Sequence, residues 1–413
     1  MNQFILLELL YFRAELIKNK CHKSVNNLVM SQTSLPTLSF WEYDTFLRDI
    51  DVAVIGSGIV GLNAAWELKV QRPDWRVVIF ERGFLPHGAS TRNAGFACFG
   101  SVSELLDDLS QGHTEEEVFS LAARRYNGLL RLRQKIGDEA IGYEANGNDE
   151  IFTNETAYQR CVTEIPRLNK LMLKYLGLEN VYRELSSQEV EAFSFGEVVG
   201  IIRNYAEGQL NTGLLMDKLL YHAQMSGVRI FNGVNLFSIV ERENGVQLQT
   251  NEGLVLSAKK ILVCTNGFAQ QLLPELAVRP ARNQVVITEP IPDLMWKGAF
   301  HYEEGYYYFR NVGQRILLGG GRHLYKEREF TDKFGLTSDI QDVLERLLKT
   351  LILPSNSDIR IEHRWSGILG LGDSKIPILK KISPRIGVAV RMGGMGVAIG
   401  TLVGEEGAAM MFN

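Results

Sequence analysis

Gly56, Gly58 and Gly61 stand in the run GSGIVG, and a carboxylate, Glu81, follows twenty residues after Gly61. Residue types at this spacing can hold a dinucleotide. Gly56 permits a tight turn, Gly58 lets a pyrophosphate approach the backbone, and Gly61 lets a helix pack close to a strand. A helix N-terminus adds free N–H groups and partial positive charge for the phosphates. Glu81 is placed to accept hydrogen bonds from a ribose. It also disfavours a 2′-phosphate, because two anions would meet, so the ADP half of FAD or NAD fits better than NADP.

The elements that must position these residues are legible around them. Asp51 opens an apolar run, 52–55, that reads as a buried parallel strand. Residues 62–70 read as a helix and 76–80 as a second strand. Strand, glycine turn, helix, strand and acid fall within about 30 residues, which separates this pattern from an ordinary glycine-rich turn. Residues 83–100 are rich in Gly, Ala and Ser, with Ser90, Thr91, Arg92 and Asn93 in a row. Such a stretch is a loop or helix start that admits a ligand closely. Phe96 and Phe99 argue against its full exposure.

Further along, 114–136 reads as a long helix with Thr114 and Glu117 as its capping box. Residues 142–152 are strand-like, and 155–176 and 187–192 are helical. A helix over 214–226 precedes strands at 228–231, 237–240, 246–250, 254–257 and 260–264, the last ending on Thr265, Asn266 and Gly267. Alternating or aromatic strands at 281–288, 306–310 and 315–319 predict an antiparallel sheet. Residues 337–351 predict a helix capped by Ser338. The chain closes with a strand at 386–390, then Arg391, then Gly393, Gly394, Met395 and Gly396, then a helix through Gly400 and Ala408. This second strand–glycine–helix unit must fold back onto the first sheet, so the nucleotide domain is discontinuous.

Composition narrows the class. The 413 residues suffice for two domains. A net charge of −4 offers no argument for nucleic acid or an anionic membrane. Cys21, Cys98, Cys161 and Cys264 are scattered without a CxxC pair, which argues against a metal site or a disulfide framework and suits a reducing, cytoplasmic setting. No stretch approaches the roughly 20 apolar residues of a membrane span. Residues 1–40 read as a loose extension: Glu8, Arg13 and Glu15 are foreign to a signal-peptide core, and Met30 is a candidate start.

GSGIVGL with Glu81, then ASTRNAG, ILVCTNG, RPARNQV and the terminal RMGGMGVAIG, in this order from about residue 41 onward, resemble the D-amino-acid-oxidase superfamily of FAD-dependent oxidoreductases. TNG and the segment HRWSGI are most similar to its γ-glutamylputrescine-oxidase-like branch. The resemblance implies an α/β fold: a Rossmann-like FAD-binding domain from 41–105, 200–275 and 360–413. An α+β substrate domain from 106–199 and 276–359 would roof the flavin with an antiparallel sheet. By matching positions, Gly56, Ser57, Gly58, Ile59 and Gly61 would hold the pyrophosphate, and Glu81 the ribose with Arg82 beside it. Ser90, Thr91, Arg92 and Asn93 would line the flavin, Val234 would face the adenine, and Thr265 and Gly267 would pack by the cofactor. Gly393, Gly394, Met395, Gly396 and Val397 would bring amides to the flavin O2 side, where a helix N-terminus favours negative charge.

The implied reaction is hydride transfer from an amine-bearing carbon to flavin N5. The resulting imine is hydrolysed, and oxygen or another acceptor takes the electrons. FAD would be non-covalent, since HRWSGI has no cysteine and no histidine directly precedes Asn93. Where several members carry WxGxRP, this chain has Trp365, Ser366, Gly367, Ile368, Leu369 and Gly370, so the arginine that pairs with a substrate carboxylate is replaced by Leu369. Arg391 matches an arginine at the site of glycine-oxidase-like members; it is equally a strand-end arginine that satisfies carbonyls. Tyr306, Tyr308 and Arg310 in EGYYYFR, with His363 and Arg364, are candidates to shape the site. Tyr306 and Tyr308 would share one face and Tyr307 the other, a core aromatic ladder being the alternative. His301 and His323 read as surface or structural residues. Three other readings stand: an NAD-dependent dehydrogenase, which the terminal glycine unit argues against; a flavin-binding protein without turnover; and a domain oxidising a modified RNA base, which low basicity disfavours.

Overall fold

The structure, a computed structural model, describes residues 38–356 and 358–412. The expectations for the extension and for Met30 as a start lie outside the described residues.

One sheet runs, edge to edge, Ile378–Lys381, Ile386–Val390, Val255–Val263, Ile50–Ile55, Val77–Glu81 and Arg229–Asn232. Along this path all neighbours are parallel except the outer pair Ile378–Lys381 and Ile386–Val390; Leu236–Arg242 and Gly245–Thr250 extend the sheet as an antiparallel meander on the first half of Val255–Val263. The central strand is apolar throughout because both of its faces are covered. Val52 and Val54 enter one core cluster, Ala53 and Ile55 another. The late strand Ile386–Val390 pairs with Val255–Val263, so the chain's end does return to the first sheet. Its helix, Gly396–Met410, lies along Ile59–Gln71. A Cβ on Gly400 would stand 2.8 Å from Ile59 Cγ2, and one on Gly404 2.6 Å from the Val60 carbonyl oxygen. Only glycine allows that approach. The pairing of Gly400 with Ile59 and of Gly404 with Val60 and Asn63 runs the two helices parallel, so both N-termini open at the same end.

The second sheet runs Ile361–Leu371, Arg279–Thr288, Arg315–Gly320, Tyr307–Val312, Ala299–Tyr302, Asn148–Phe152, Gly200–Asn204 and Tyr182–Glu184. It is antiparallel apart from the pair Ala299–Tyr302 and Asn148–Phe152. Helix Glu155–Leu176 flanks it, and Glu115–Ile136 packs between that helix and Gly396–Met410. The predicted capping box is present: the Glu117 amide donates to Thr114 Oγ1 at 3.2 Å and the Thr114 amide to Glu117 Oε2 at 2.9 Å.

Several boundaries differ from the sequence reading. The first helix begins at Ile59, three residues earlier, because Gly58 already serves as its N-cap. Residues 254–257 and 260–264 form one strand, Val255–Val263, not two. Its first half alternates in burial against the meander, and its second half is wholly buried between parallel neighbours, so the pattern changes mid-strand. Residues 361–371 form a strand that HRWSGI conceals with its charges and glycines, and it joins the second sheet, as does Gly200–Asn204. Both segments were expected with the FAD-binding part. The 337–351 helix starts at Ser338 with Thr337, not Ser338, at the cap. Gln284 serves that end: it accepts from the Thr337 amide at 3.0 Å and donates to the Thr337 hydroxyl at 2.8 Å. Among the described residues, no helix is long and apolar enough to cross a membrane. Cys98, Cys161 and Cys264 are free and buried.

Candidate active site

The glycine turn between Ile50–Ile55 and Ile59–Gln71 forms one wall of a cleft with about 1140 Å³ of empty space. Gly56 sits at φ 101°, a conformation that favours glycine, and a Cβ on Gly61 would stand 2.0 Å from the Gly56 carbonyl oxygen. Gly61 is therefore a packing residue that does not reach the cleft. Gly56, Gly58 and Ile59 line the wall, and Glu81, Arg82 and Val234 line the end at Val77–Glu81. Ser90 closes over the helix start: its hydroxyl accepts from the Ile59 amide at 2.9 Å. Thr265, Gly394, Gly396 and Val397 line the far side.

Glu81 is 5 % exposed. Its Oε2 accepts from the Ser57 amide at 2.9 Å and the Ser57 hydroxyl at 2.7 Å; its Oε1 accepts from the amides of Gly83 at 2.9 Å and His87 at 3.3 Å. The carboxylate thus ties the glycine turn to the loop after the second strand, and Ser57 braces it without lining the cleft. Arg82 lies with its guanidinium 3.6 Å from the Phe268 ring centroid.

The 89–93 loop is braced internally. Thr91 Oγ1 donates to the Pro86 carbonyl at 2.7 Å. Asn93 Nδ2 donates to the Ser90 carbonyl at 2.8 Å, and its Oδ1 accepts from Thr212 Oγ1 at 2.9 Å. Thr91 does not line the cleft. Gly267 does not either; a Cβ there would stand 2.5 Å from the Leu369 carbonyl oxygen, so it lets strand Ile361–Leu371 pass close.

A second cavity, with about 1000 Å³ of empty space, adjoins the first. Ala89, Asn93, Leu369, Gly394 and Val397 line both. Arg92, Gly393 and Met395 face only the second. Tyr308 lines it from the second sheet and Tyr306 from the turn before strand Tyr307–Val312, which starts one residue later than expected, while Tyr307 is buried in the core on the other side. The Tyr308 hydroxyl accepts from Asn283 Nδ2 at 2.9 Å, and burial pushes its pKa up.

Two arginines are corrected. Arg310 donates to the carbonyls of Leu210 at 2.7 Å, Gly95 at 3.1 Å and Asn311 at 3.1 Å, and lines neither cavity. Arg391 donates to the carbonyls of Ile376 at 2.8 Å and Ala277 at 3.1 Å, and also lines neither. Both are turned to backbone carbonyls in this structure. His363 is exposed and lies near Glu362, and Arg364 pairs with Glu345 and Gln341, so neither lines the site.

Four charged or hydrogen-bonding side chains of the second cavity escaped the sequence reading, Arg322, Asn283, Glu104 and His301, besides smaller and apolar lining residues. His301 is 6 % exposed, not a surface residue; it stacks on Phe96 at 5.1 Å, and burial lowers its pKa. Burial alone would raise Glu104, but His301, the Ser101 amide, Lys375 and Arg125 together bring it below its ordinary value. Arg322 follows Gly319, Gly320 and Gly321, the last two at φ 127° and 77°. That triplet at a strand end was the available signal for a residue turned into a cavity.

The cleft fits FAD. Thr265 Oγ1 is buried in its wall and has no partner. Two helices, Ile59–Gln71 and Gly396–Met410, start at the cleft with no cap from their own N-cap residues Gly58 and Met395; Ser90 takes the Ile59 amide, and the amides that follow it and those of the second helix are left for an anionic ligand.

The family described as DAO, FAD dependent oxidoreductase, matches residues 51–410. γ-Glutamylputrescine oxidoreductase of Escherichia coli is 24 % identical over 382 residues, covering 88 % of this chain and 84 % of that one. The probable oxidoreductase OrdL of Rhizobium meliloti is 24 % identical over 380 residues, covering 87 % and 82 %. The crystal structure of glycine oxidase from Geobacillus kaustophilus superposes with a TM-score of 0.70 at 21 % identity, covering 88 % of this chain and 94 % of that one. The chain belongs to the DAO family of FAD-dependent oxidoreductases, enzymes that act on the C–N bonds of amines and amino acids.

Proposed function

We propose that the second cavity receives a small amine and that the C–N bond is oxidised where the two cavities meet. The shared lining of Ala89, Asn93, Leu369, Gly394 and Val397 carries this reading, because it puts a ligand of one cavity against a ligand of the other. Bound FAD supplies the hydride acceptor. Gly56, Gly58 and the start of helix Ile59–Gln71 hold its pyrophosphate, and Thr265 offers a hydroxyl along the cleft. The N-terminus of Gly396–Met410 places partial positive charge at the junction and favours negative charge there. Phe96, Val285, Leu369 and Leu371 give the amine cavity apolar walls, which exclude water from the reacting carbon. Glu104 lines the cavity, and since the Ser101 amide donates to its Oε2, its Oε1 is placed to accept an N–H from the amine. No strong base is required of the chain, since the hydride carries the bonding electrons away.

Sheet pairing supports an FAD-binding unit that gives up 200–204 and 361–371 to the roof over the amine cavity. The reading takes the protein to act in the cytoplasm on a small molecule, with oxygen or a carrier as the final acceptor. Anaerobic mixing of the purified yellow protein with glycine, sarcosine, D-alanine, D-proline, putrescine and γ-glutamylputrescine tests it by flavin absorbance. Bleaching by at least one amine is expected. A flavin that stays bound and oxidised with every one of these compounds would sink the reading.

A further inference from the structure

We infer that Arg322 anchors a carboxylate of the substrate, so that the cavity selects amines bearing an acid group; this rests on reading the second cavity as the amine site. The arginines nearby differ in what they face. Arg310 donates to backbone carbonyls through Nε and Nη1, and Arg391 through Nε, Nη1 and Nη2. Arg92 donates to the Ser366 carbonyl at 2.9 Å and lies 4.5 Å from the Phe334 ring centroid. Arg322 is partly buried and lines the cavity, and among the described residues it makes no hydrogen bond and no ion pair. Its guanidinium carbon lies 6.0 Å from the centroid of the Tyr306 ring, and Tyr308 is its other neighbour from the cavity wall.

A guanidinium taken from water without an acceptor is costly, and its planar fork matches a carboxylate with two parallel hydrogen bonds. Among the described residues no carboxylate fills that place: Glu104, in the same cavity, does not pair with Arg322. The backbone holds Arg322 where it is. A Cβ on Gly320 would stand 2.1 Å from the Tyr306 carbonyl oxygen, so the turn is pressed against the Tyr306 segment and delivers the next side chain to the cavity. The same cavity holds two unmatched acceptors. Among the described residues Asn283 Oδ1 is buried without a partner, and the one hydrogen bond of the Glu104 carboxylate, from the Ser101 amide, goes to Oε2 and not to Oε1. An unpaired cation with nearby unpaired acceptors has the polarity of an amino acid, with carboxylate to Arg322 and N–H groups to the acceptors. The anion anchor lost at Leu369 is thereby supplied from a different element of the fold.

The test uses unreactive probes on the holoenzyme: propionate, and propionamide as its neutral match, titrated by calorimetry and by the change in flavin absorbance. Propionate is expected to bind and propionamide to bind far more weakly. Arg322→Gln should weaken propionate by roughly 10- to 150-fold, the range for hydrogen bonds to a charged group. Arg322→Lys should retain part of the binding, since it keeps a point charge without the fork. Flavin content should be unchanged in both. With an acid-bearing amine, Arg322→Gln should raise KM far more than it lowers kcat. Equal binding of the two probes, no propionate binding at all, or propionate affinity unchanged in Arg322→Gln would each overturn the proposal. If Arg322→Gln fails to keep flavin, Arg322→Lys decides: unchanged propionate affinity and unchanged KM overturn the proposal, and weaker binding supports it. Failure of the amine-site reading looks different, because then no amine bleaches the wild-type flavin.

Discussion

Glu81→Gln isolates what the carboxylate does before any ligand arrives. Four donors converge on it: the Ser57 amide and hydroxyl on one oxygen, and the Gly83 and His87 amides on the other. A glutamine has one acceptor oxygen and one NH2 group. If its oxygen keeps Gly83 and His87, the Ser57 hydroxyl can turn to accept, but the Ser57 amide is left facing an NH2 group. The reverse placement strands two amides, so the first is preferred. One buried unsatisfied donor costs about 1–3 kcal/mol, and the surviving bonds fall from charged to neutral strength, about 1 kcal/mol each. Together this is about 3–5 kcal/mol, concentrated on the glycine turn. Chemical denaturation of the FAD-free protein measures it without interference from the cofactor, and FAD titration of the same sample shows the loosened turn as weaker binding. A stability loss below about 1 kcal/mol with normal FAD affinity would refute the assignment of Glu81 as the brace of the turn.

Gly58→Asp should abolish FAD retention, because it sets a carboxylate where the pyrophosphate approaches; its Cβ already stands 2.8 Å from Ser90 Oγ. Normal flavin absorbance in that variant would show that the phosphates lie elsewhere. Arg391→Ala should leave the flavin spectrum and the bleaching rate as they are and lower only stability, since the guanidinium serves the Ile376 and Ala277 carbonyls; a collapse in kcat would restore it to the site. Burial pushes the Glu207 carboxyl from 4.5 up to about 8, against the pull of the Gly100 and Phe99 amides. The folded chain then holds this proton more tightly than the unfolded chain, so its stabilising effect is complete below pH 4.5 and is lost as pH rises through about 8. Glu207→Gln should flatten that part of the stability profile, with the unpartnered Asn148 Oδ1 able to accept the new NH2 group. An unchanged slope between those pH values would place the titration on another residue.

The dinucleotide cleft was legible because its signal is local. A tight turn, a close helix and a carboxylate at the end of the next strand lie within one strand–helix–strand unit, and each is imposed by backbone geometry. The return of the chain's end to the first sheet was legible for the same reason, through a second glycine turn after a wholly apolar strand. Strand Ile361–Leu371 was not, since an edge position tolerates the charges and glycines that broke its pattern. Nor were the fates of the arginines. Arg310, Arg391 and Arg322 look alike in a sequence, and each follows or ends an apolar strand. What separates them is what lies in front of each guanidinium: Leu210 and Gly95 for Arg310, Ile376 and Ala277 for Arg391, and open cavity for Arg322. Those partners come from other segments, 15 to 215 residues away along the chain, or from none. Spacing determines where a side chain starts; only the packed backbone decides whether a carbonyl is there to meet it.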